Sequence, residues 1–179
     1  MAVPSMSTFY AGQRLRAADM NSQVRDAVNW AISAKVCRVQ RPSSQTIATG
    51  GEAIQFPSED FDPLAWHNGS TLTNLIVPNI EGYYQVHACT SFVASASGTI
   101  RRAIIQAKSY NSGPYDMAGA SALPHASVRP LLSVSTIVYL NGTTDYVQLF
   151  AYQDTGSNLN TSVADGTTTS LCVSLLGTA

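Results

Sequence analysis

Three cysteines (Cys37, Cys89 and Cys172) and three histidines (His67, His87 and His125) are the side chains of this chain with the chemistry to ligate a metal or to pair as nucleophile and base. Their spacing supports neither use. The cysteines are odd in number, lie far apart without a C-x-x-C, and each falls in a segment that reads as a strand. Free, mostly buried thiols and assembly in a reducing compartment are expected. Glu59 and Asp60 form the one adjacent carboxylate pair considered for acid/base work. Within the polar stretch 57–68 they read as loop residues rather than the two arms of a glycosidase. Gly-x-Ser-x-Gly, His-Glu-x-x-His, a phosphate loop and a dinucleotide fingerprint are all missing from the sequence. A non-enzyme without metal or cofactor is expected. The rings available to stack on a surface ligand are Tyr110, Tyr115 and Tyr152.

The composition bears on partners. Charged residues make up 12% of the 179 positions, against a usual quarter. Ser, Thr, Asn and Gln must therefore coat most of the surface, which suits a surface partly covered by other chains. Residues 1–41 carry six basic and two acidic groups, the remainder four basic and nine acidic, so a basic arm precedes an acidic body. Six dispersed cations without interleaved aromatics make a poor nucleic-acid footprint. No run approaches the ~18 apolar residues of a membrane span. The opening residues lack the basic start and apolar core of a secretory signal.

Two periodicities position these residues. An extended arm leads into a helix from about Ala17, where Met20, Val24, Ala27, Val28, Ala31 and Ile32 recur at three- and four-residue steps and form one apolar stripe. Asp19 suits the positive end of its dipole. The stripe is expected to lie on the chain's own body, on a neighbouring copy or on another protein. Beyond Lys35 the period falls to two. Strands are expected over 36–41, 45–48, 53–56, 72–77, 83–94, 99–109, 131–140, 146–153 and 169–176, with long loops over 110–127 and 154–168 and a hairpin turn at Asn141-Gly142. This is the pattern of an antiparallel sandwich or jelly roll, giving two parts, 1–35 and 36–179. On the second of them, Leu131, Ile137 and Tyr139, and likewise Val147, Leu149 and Ala151, are expected to make semi-apolar outward faces covered by other copies. Tyr83 and Tyr84 are expected to pack, and Arg101 and Arg102 to face solvent or pair between chains.

The order of motifs resembles the C1q/TNF-like superfamily in its phage and bacterial form. The resemblance rests on Ala53 to Phe56, Phe61-Asp-Pro63, Trp66, Ile76-Val-Pro78, Glu81-Gly82-Tyr83-Tyr84, Phe92, Leu132 to Gly142, Asp145 to Leu149, and Ser170 to Gly177. The stretch from Phe9 to Asn21 is similar to the opening of many tailed-phage virion proteins, with Arg16 where that pattern has a helix-capping Thr. The resemblance implies a homotrimer of jelly rolls with core aromatics Tyr84, Phe92 and Phe150. It further implies a structural role in a virion assembled in the host cytoplasm, as a minor tail protein, capsid decoration or fibre. Residues 1–35 would dock on other tail or capsid proteins. The alternative is a head that binds a host-surface carbohydrate or receptor.

Overall fold

The computed structural model describes residues 10–12, 14, 16–109, 112–164 and 168–178. The chain separates into two compact units, Met1–Lys35 and Val36–Ala179.

In the first unit a helical segment runs through α1 (Ala17–Asp19), a π-helical stretch (Met20–Arg25) and α2 (Asp26–Ile32). The uninterrupted α-helix expected from periodicity is thus broken. The π-helical turn widens the helix by one residue per hydrogen-bonded ring between the two α segments. Arg16 occupies the N-cap without a side-chain cap bond. The C-terminal end is better tied. Ser33 donates its backbone N–H to the Asn29 carbonyl at 3.1 Å and its hydroxyl to the Trp30 carbonyl at 2.8 Å. The Lys35 ammonium reaches the same Trp30 carbonyl and lies 4.0 Å from the Trp30 ring centroid, a cation where the helix dipole is negative.

The second unit is a jelly-roll sandwich. One sheet has the order β4-β1-β11-β5-β8 and the other β3-β9-β6-β7, with a small β10-β2 pair. Their ranges are β1 (Val36–Arg41), β2 (Thr46–Ile47), β3 (Glu52–Ala53), β4 (Ser58–Phe61), β5 (Glu81–Ser91), β6 (Arg101–Ser109), β7 (Ser112–Ala122), β8 (Leu131–Asn141), β9 (Tyr146–Gln153), β10 (Leu159–Asn160) and β11 (Thr169–Thr178). All pairings between strands are antiparallel. Alternation sends Tyr84, Val86 and Ala88 of β5, Val138 and Leu140 of β8, and Leu171 and Val173 of β11 into the core. They meet Ala103, Ile105 and Ala107 of β6 and Val147, Leu149 and Ala151 of β9.

That last set corrects an expectation. Val147, Leu149 and Ala151 face the core, and Phe150 lies half-buried on the outer face of its sheet. Both faces of β9 are apolar, so its own pattern does not choose between them. The Phe150 ring lies against Gly51. A Cβ at Gly51 would come within 2.5 Å of that ring. Other boundaries also shift. Residues 112–122 form strand β7 rather than a loop. Pro114 is tolerated because β7 is a sheet edge, where a missing N–H breaks no ladder. Ser58–Phe61 pairs with β1. The strand expected over 72–77 reduces to bridges at Ile76, since Leu72 takes φ 55° and turns the chain.

The Glu81-Gly82-Tyr83-Tyr84 corner has a steric cause. A Cβ on Gly82 would sit 2.3 Å from the Gly177 carbonyl oxygen of β11, closer than any side chain allows. Two residues on, Tyr84 is fully buried, packs edge-on against Trp66 at 5.5 Å between ring centroids, and donates its hydroxyl to the Ile80 carbonyl. Trp66 in turn donates Nε1–H to Asn79 Oδ1 at 2.8 Å. The hairpin at Asn141-Gly142 places only Gly142 at positive φ (69°). Asn141 instead accepts the backbone N–H groups of Thr143, Thr144 and Asp145 through its side-chain oxygen. Gly82→Ala is expected to cost about 1–3 kcal/mol, the usual range for overpacking a tight site, as a lowered urea midpoint at unchanged slope. An unchanged midpoint would show that β11 is free to move away.

Candidate functional site

The residue types singled out for chemistry are mostly engaged in holding the fold. On β4, Glu59 Oε1 lies 2.8 Å from His67 Nδ1, while Asp60 pairs with Arg38 at 3.3 Å. Adjacent strand residues point to opposite sides, so the two carboxylates do not act as one pair. His67 Nε2 meets the Thr73 carbonyl at 3.1 Å, and the His67 N–H donates to Asp62 Oδ2 at 2.7 Å. The buried imidazole therefore ties the 62–76 loop down against β4. His125 Nδ1 accepts the N–H groups of Ser127 and Val128. The three thiols are free. Burial, followed by the nearby Asp62 and Glu59 charges, pushes Cys37 well above the ordinary thiol range. Burial also raises Cys89 and Cys172, the latter offset in part by a Ser174 hydrogen bond and Arg38. Among the described residues no three His, Cys, Asp or Glu side chains gather at metal-holding distance.

Arg101 and Arg102 part company. Arg101 is only 1% exposed, and its guanidinium donates to the Ser97 carbonyl (2.6 Å) and the Ile100 carbonyl (2.9 Å) and faces Asp154 at 3.5 Å. The expected solvent-facing or interchain role is corrected for this residue, because the loop before β6 wraps its side chain. Arg102 stays exposed, its guanidinium 5.7 Å from the Tyr152 ring.

Three surfaces among the described residues bear on partners. The first is the helical segment, where Met20, Val24, Val28 and Ile32 are exposed, Ile32 at 76%, with Ala31 exposed and Ala27 half-buried beside them. The second is the outer face of the five-stranded sheet. There Tyr83 (52% exposed) packs edge-on against Tyr139 at 5.6 Å, and Tyr139 donates its hydroxyl to Glu81. Ile137 (58%) and Leu176 (57%), the extra residue of a bulge in β11, are exposed nearby. Tyr83 is thus a surface residue, and only Tyr84 packs inside. Along the same face lies His87, with Nε2 at 2.9 Å from Ser133 Oγ, cross-strand from Cys172 and Ser135. The third is a shallow groove of about 340 Å³ on the outer face of the four-stranded sheet, lined by Arg102, Ile104 and residues 116–121.

The structure does not gather the three tyrosines proposed for binding. Tyr152 stands beside Arg102 on that outer face. Tyr115 is exposed but pairs with Ala107, five residues further along β6 and of opposite parity. Tyr110 lies outside the described residues. Gln106 and Gln148, cross-strand partners that line up on this sheet, escaped notice in the sequence. The signal was a pair of Gln residues inside otherwise apolar strands.

Solved structures with this arrangement include the globular domain of zebrafish complement 1qA. It is 12% identical, with a TM-score of 0.58 over 81% of this chain and 99% of that one. Murine APRIL at pH 5.0 is 8% identical, with a TM-score of 0.60 over 80% of this chain and 100% of that one. Eiger TNF from S. frugiperda is 11% identical, with a TM-score of 0.58 over 82% and 94%. The chain therefore has the C1q/TNF-like jelly-roll fold. No protein-family model and no curated protein matches it. Among the described residues no helix is long and apolar enough to cross a membrane.

The Asp154 site yields a pH prediction. Hydrogen bonds from the Thr99 hydroxyl and from the Ile100 and Thr99 backbone N–H groups, aided by Arg101, hold its carboxyl down to about 2. Because the folded value lies below the unfolded one of about 3.9, the stabilisation is complete above that value and is lost as pH falls toward 2. Asp154→Asn should flatten the acid limb of stability between about pH 5 and 2, read by urea unfolding at stepped pH. An acid limb identical to that of the parent would refute the assignment.

Proposed function

We propose that this chain is a non-enzymatic structural protein of a tailed-phage virion, a homotrimeric tail or capsid-surface component held by its N-terminal segment and displaying the jelly roll as a head. The observation that carries the proposal is the apolar end of the five-stranded sheet's outer face. Tyr83, Ile137 and Leu176 are all more than half exposed in a single chain whose surface is otherwise poor in charge. Clustered exposure of this kind marks a protein interface. A second copy of the same chain is the simplest cover, and the C1q/TNF-like fold supports closure of three copies around an axis.

The helical stripe supports the anchoring half of the reading. A helix of this length is marginal by itself in water and gains stability by burying an apolar face. The likeness of the stretch from Phe9 to Asn21 to virion-protein openings supports other tail or capsid proteins as the partner. The non-enzymatic part is supported by the engagement of Glu59 with His67 and of Asp60 with Arg38. A host-surface glycan is the second reading, supported by the shallow groove on the opposite sheet, where Arg102, Asp116 and Ser121 offer polar groups, and a displayed head can serve both purposes.

Two experiments test the two halves. A chain lacking residues 1–35 should still associate but should no longer be incorporated into particles, as followed by immunoblot of purified virions; normal incorporation would remove the anchor. Ile137→Lys in the full chain should shift sedimentation toward the monomer at micromolar concentration, since an ammonium would be desolvated at the contact. Sedimentation unchanged from the parent would place the interface elsewhere.

A further inference from the structure

The outer face of the five-stranded sheet has a polar middle between two apolar ends. Along β8 the exposed outward residues run Leu131 (53% exposed), Ser133, Ser135 and Ile137 (58%). The two apolar positions are about 20 Å apart, six residues of strand. A flat partner resting on both must also cover what lies between them. That is His87 of β5, which is exposed, pairs across to Ser135 and places Nε2 at 2.9 Å from Ser133 Oγ.

Among the described residues His87 has no carboxylate beside it. Its transverse row runs from Ser135 through His87 to Cys172 and Arg38. Arg38, about 10 Å away at two strand spacings, is itself a cation, and it holds Asp60 of β4 at 3.3 Å. The outward rows on either side are Ser133–Cys89–Ser170–Gln40 and Ile137–Gln85–Ser174–Val36. None of these side chains carries a charge, since burial pushes the Cys89 and Cys172 thiols up. Glu81, at the far end of β5, is about 20 Å along the strand and accepts the Tyr139 hydroxyl.

We propose that His87 makes self-assembly of this chain pH-dependent: copies close over this face while the imidazole is neutral, and its protonation opens them. The device presupposes the trimer proposed above. Histidine is the side chain that changes charge between pH 5 and 8. In the separate chain, water solvates the imidazolium. Copies packed about an axis displace that water and turn the same face inward, where the nearest charge is the Arg38 cation with its carboxylate already taken. An ion desolvated without a counter-charge is costly, so the closed assembly favours the neutral ring. The separate chain then binds more protons than the assembled one. By linkage, assembly is undisturbed at the alkaline end of the histidine range and weakens as pH falls through it. One proton per copy lets the trimer association constant fall by as much as ~1,000-fold per pH unit.

Sedimentation velocity of the full chain over a micromolar concentration series, at about pH 8 and about pH 5, tests the switch, with near-ultraviolet circular dichroism reporting the fold at both. The parent should be trimeric at the higher value, and its half-assembly concentration should rise at least about tenfold at the lower. His87→Gln, which stays polar and takes up no proton, should assemble equally at both. His87→Lys, charged throughout, should be impaired already at the higher value, and His125→Gln should keep the pH dependence of the parent. A parent trimer equally tight at both values, a pH dependence that survives His87→Gln, or unimpaired assembly of His87→Lys overturns the switch and leaves the trimer standing. A parent that is monomeric at both values sinks the trimer and the switch together.

Discussion

Strand β5 sets the faces of the molecule, and the close approach of β11 at Gly82 sets β5. Alternation along β5 admits only two assignments of inside and outside, and a slip of one residue would exchange them. Gly82 removes the choice, because the Gly177 carbonyl occupies the space that any side chain there would need. With Gly82 pinned, Tyr84, Val86 and Ala88 must point inward and Tyr83, Gln85 and His87 outward. Pairing then carries that parity to β8 and β11, on the two sides of β5. The Tyr84 hydroxyl on Ile80 and the Trp66 ring against Tyr84 fasten the preceding loop to the same point.

The exposed surfaces are consequences of this parity. Once the even positions of β5 fill the core, Tyr83 and its neighbours Tyr139, Ile137 and Leu176 are left outside as an apolar patch. On the second sheet the same rule places Ala103, Ile105 and Ala107 inside and turns Arg102, Ile104 and Gln106 to the other side, where Arg102 and Ile104 line the groove. One sheet therefore presents a face suited to a like chain, and the other presents a face with fixed hydrogen-bonding groups.

Much of this was legible in the sequence. The alternation from Tyr84 to Thr90, the Asn141-Gly142 turn and the change of period after Lys35 all have local causes, and the jelly-roll class followed from them. The failures have a common origin in information that is not local. Strand β7 has Gly113, Pro114, Gly119 and many small residues, and reads as loop unless its position at a sheet edge is known. For β9, with apolar residues on both faces, the inward set follows from its register with β6. Arg101 looks like a surface cation until three carbonyl and carboxylate partners close over it. The hydrogen-bonded row of Asn74, Gln148, Gln106 and Asp116 is spread over 74 positions, and no local pattern announces it.

The central claim is that the exposed face of the β5–β8 sheet is covered by two further copies of this chain. Native mass spectrometry of the full-length protein, supported by sedimentation equilibrium, tests it most directly. The account predicts a species of three times the 19.0 kDa chain mass that persists on dilution into the low micromolar range. A protein that stays at 19.0 kDa across that range, with Tyr83, Ile137 and Leu176 still in water, would contradict it.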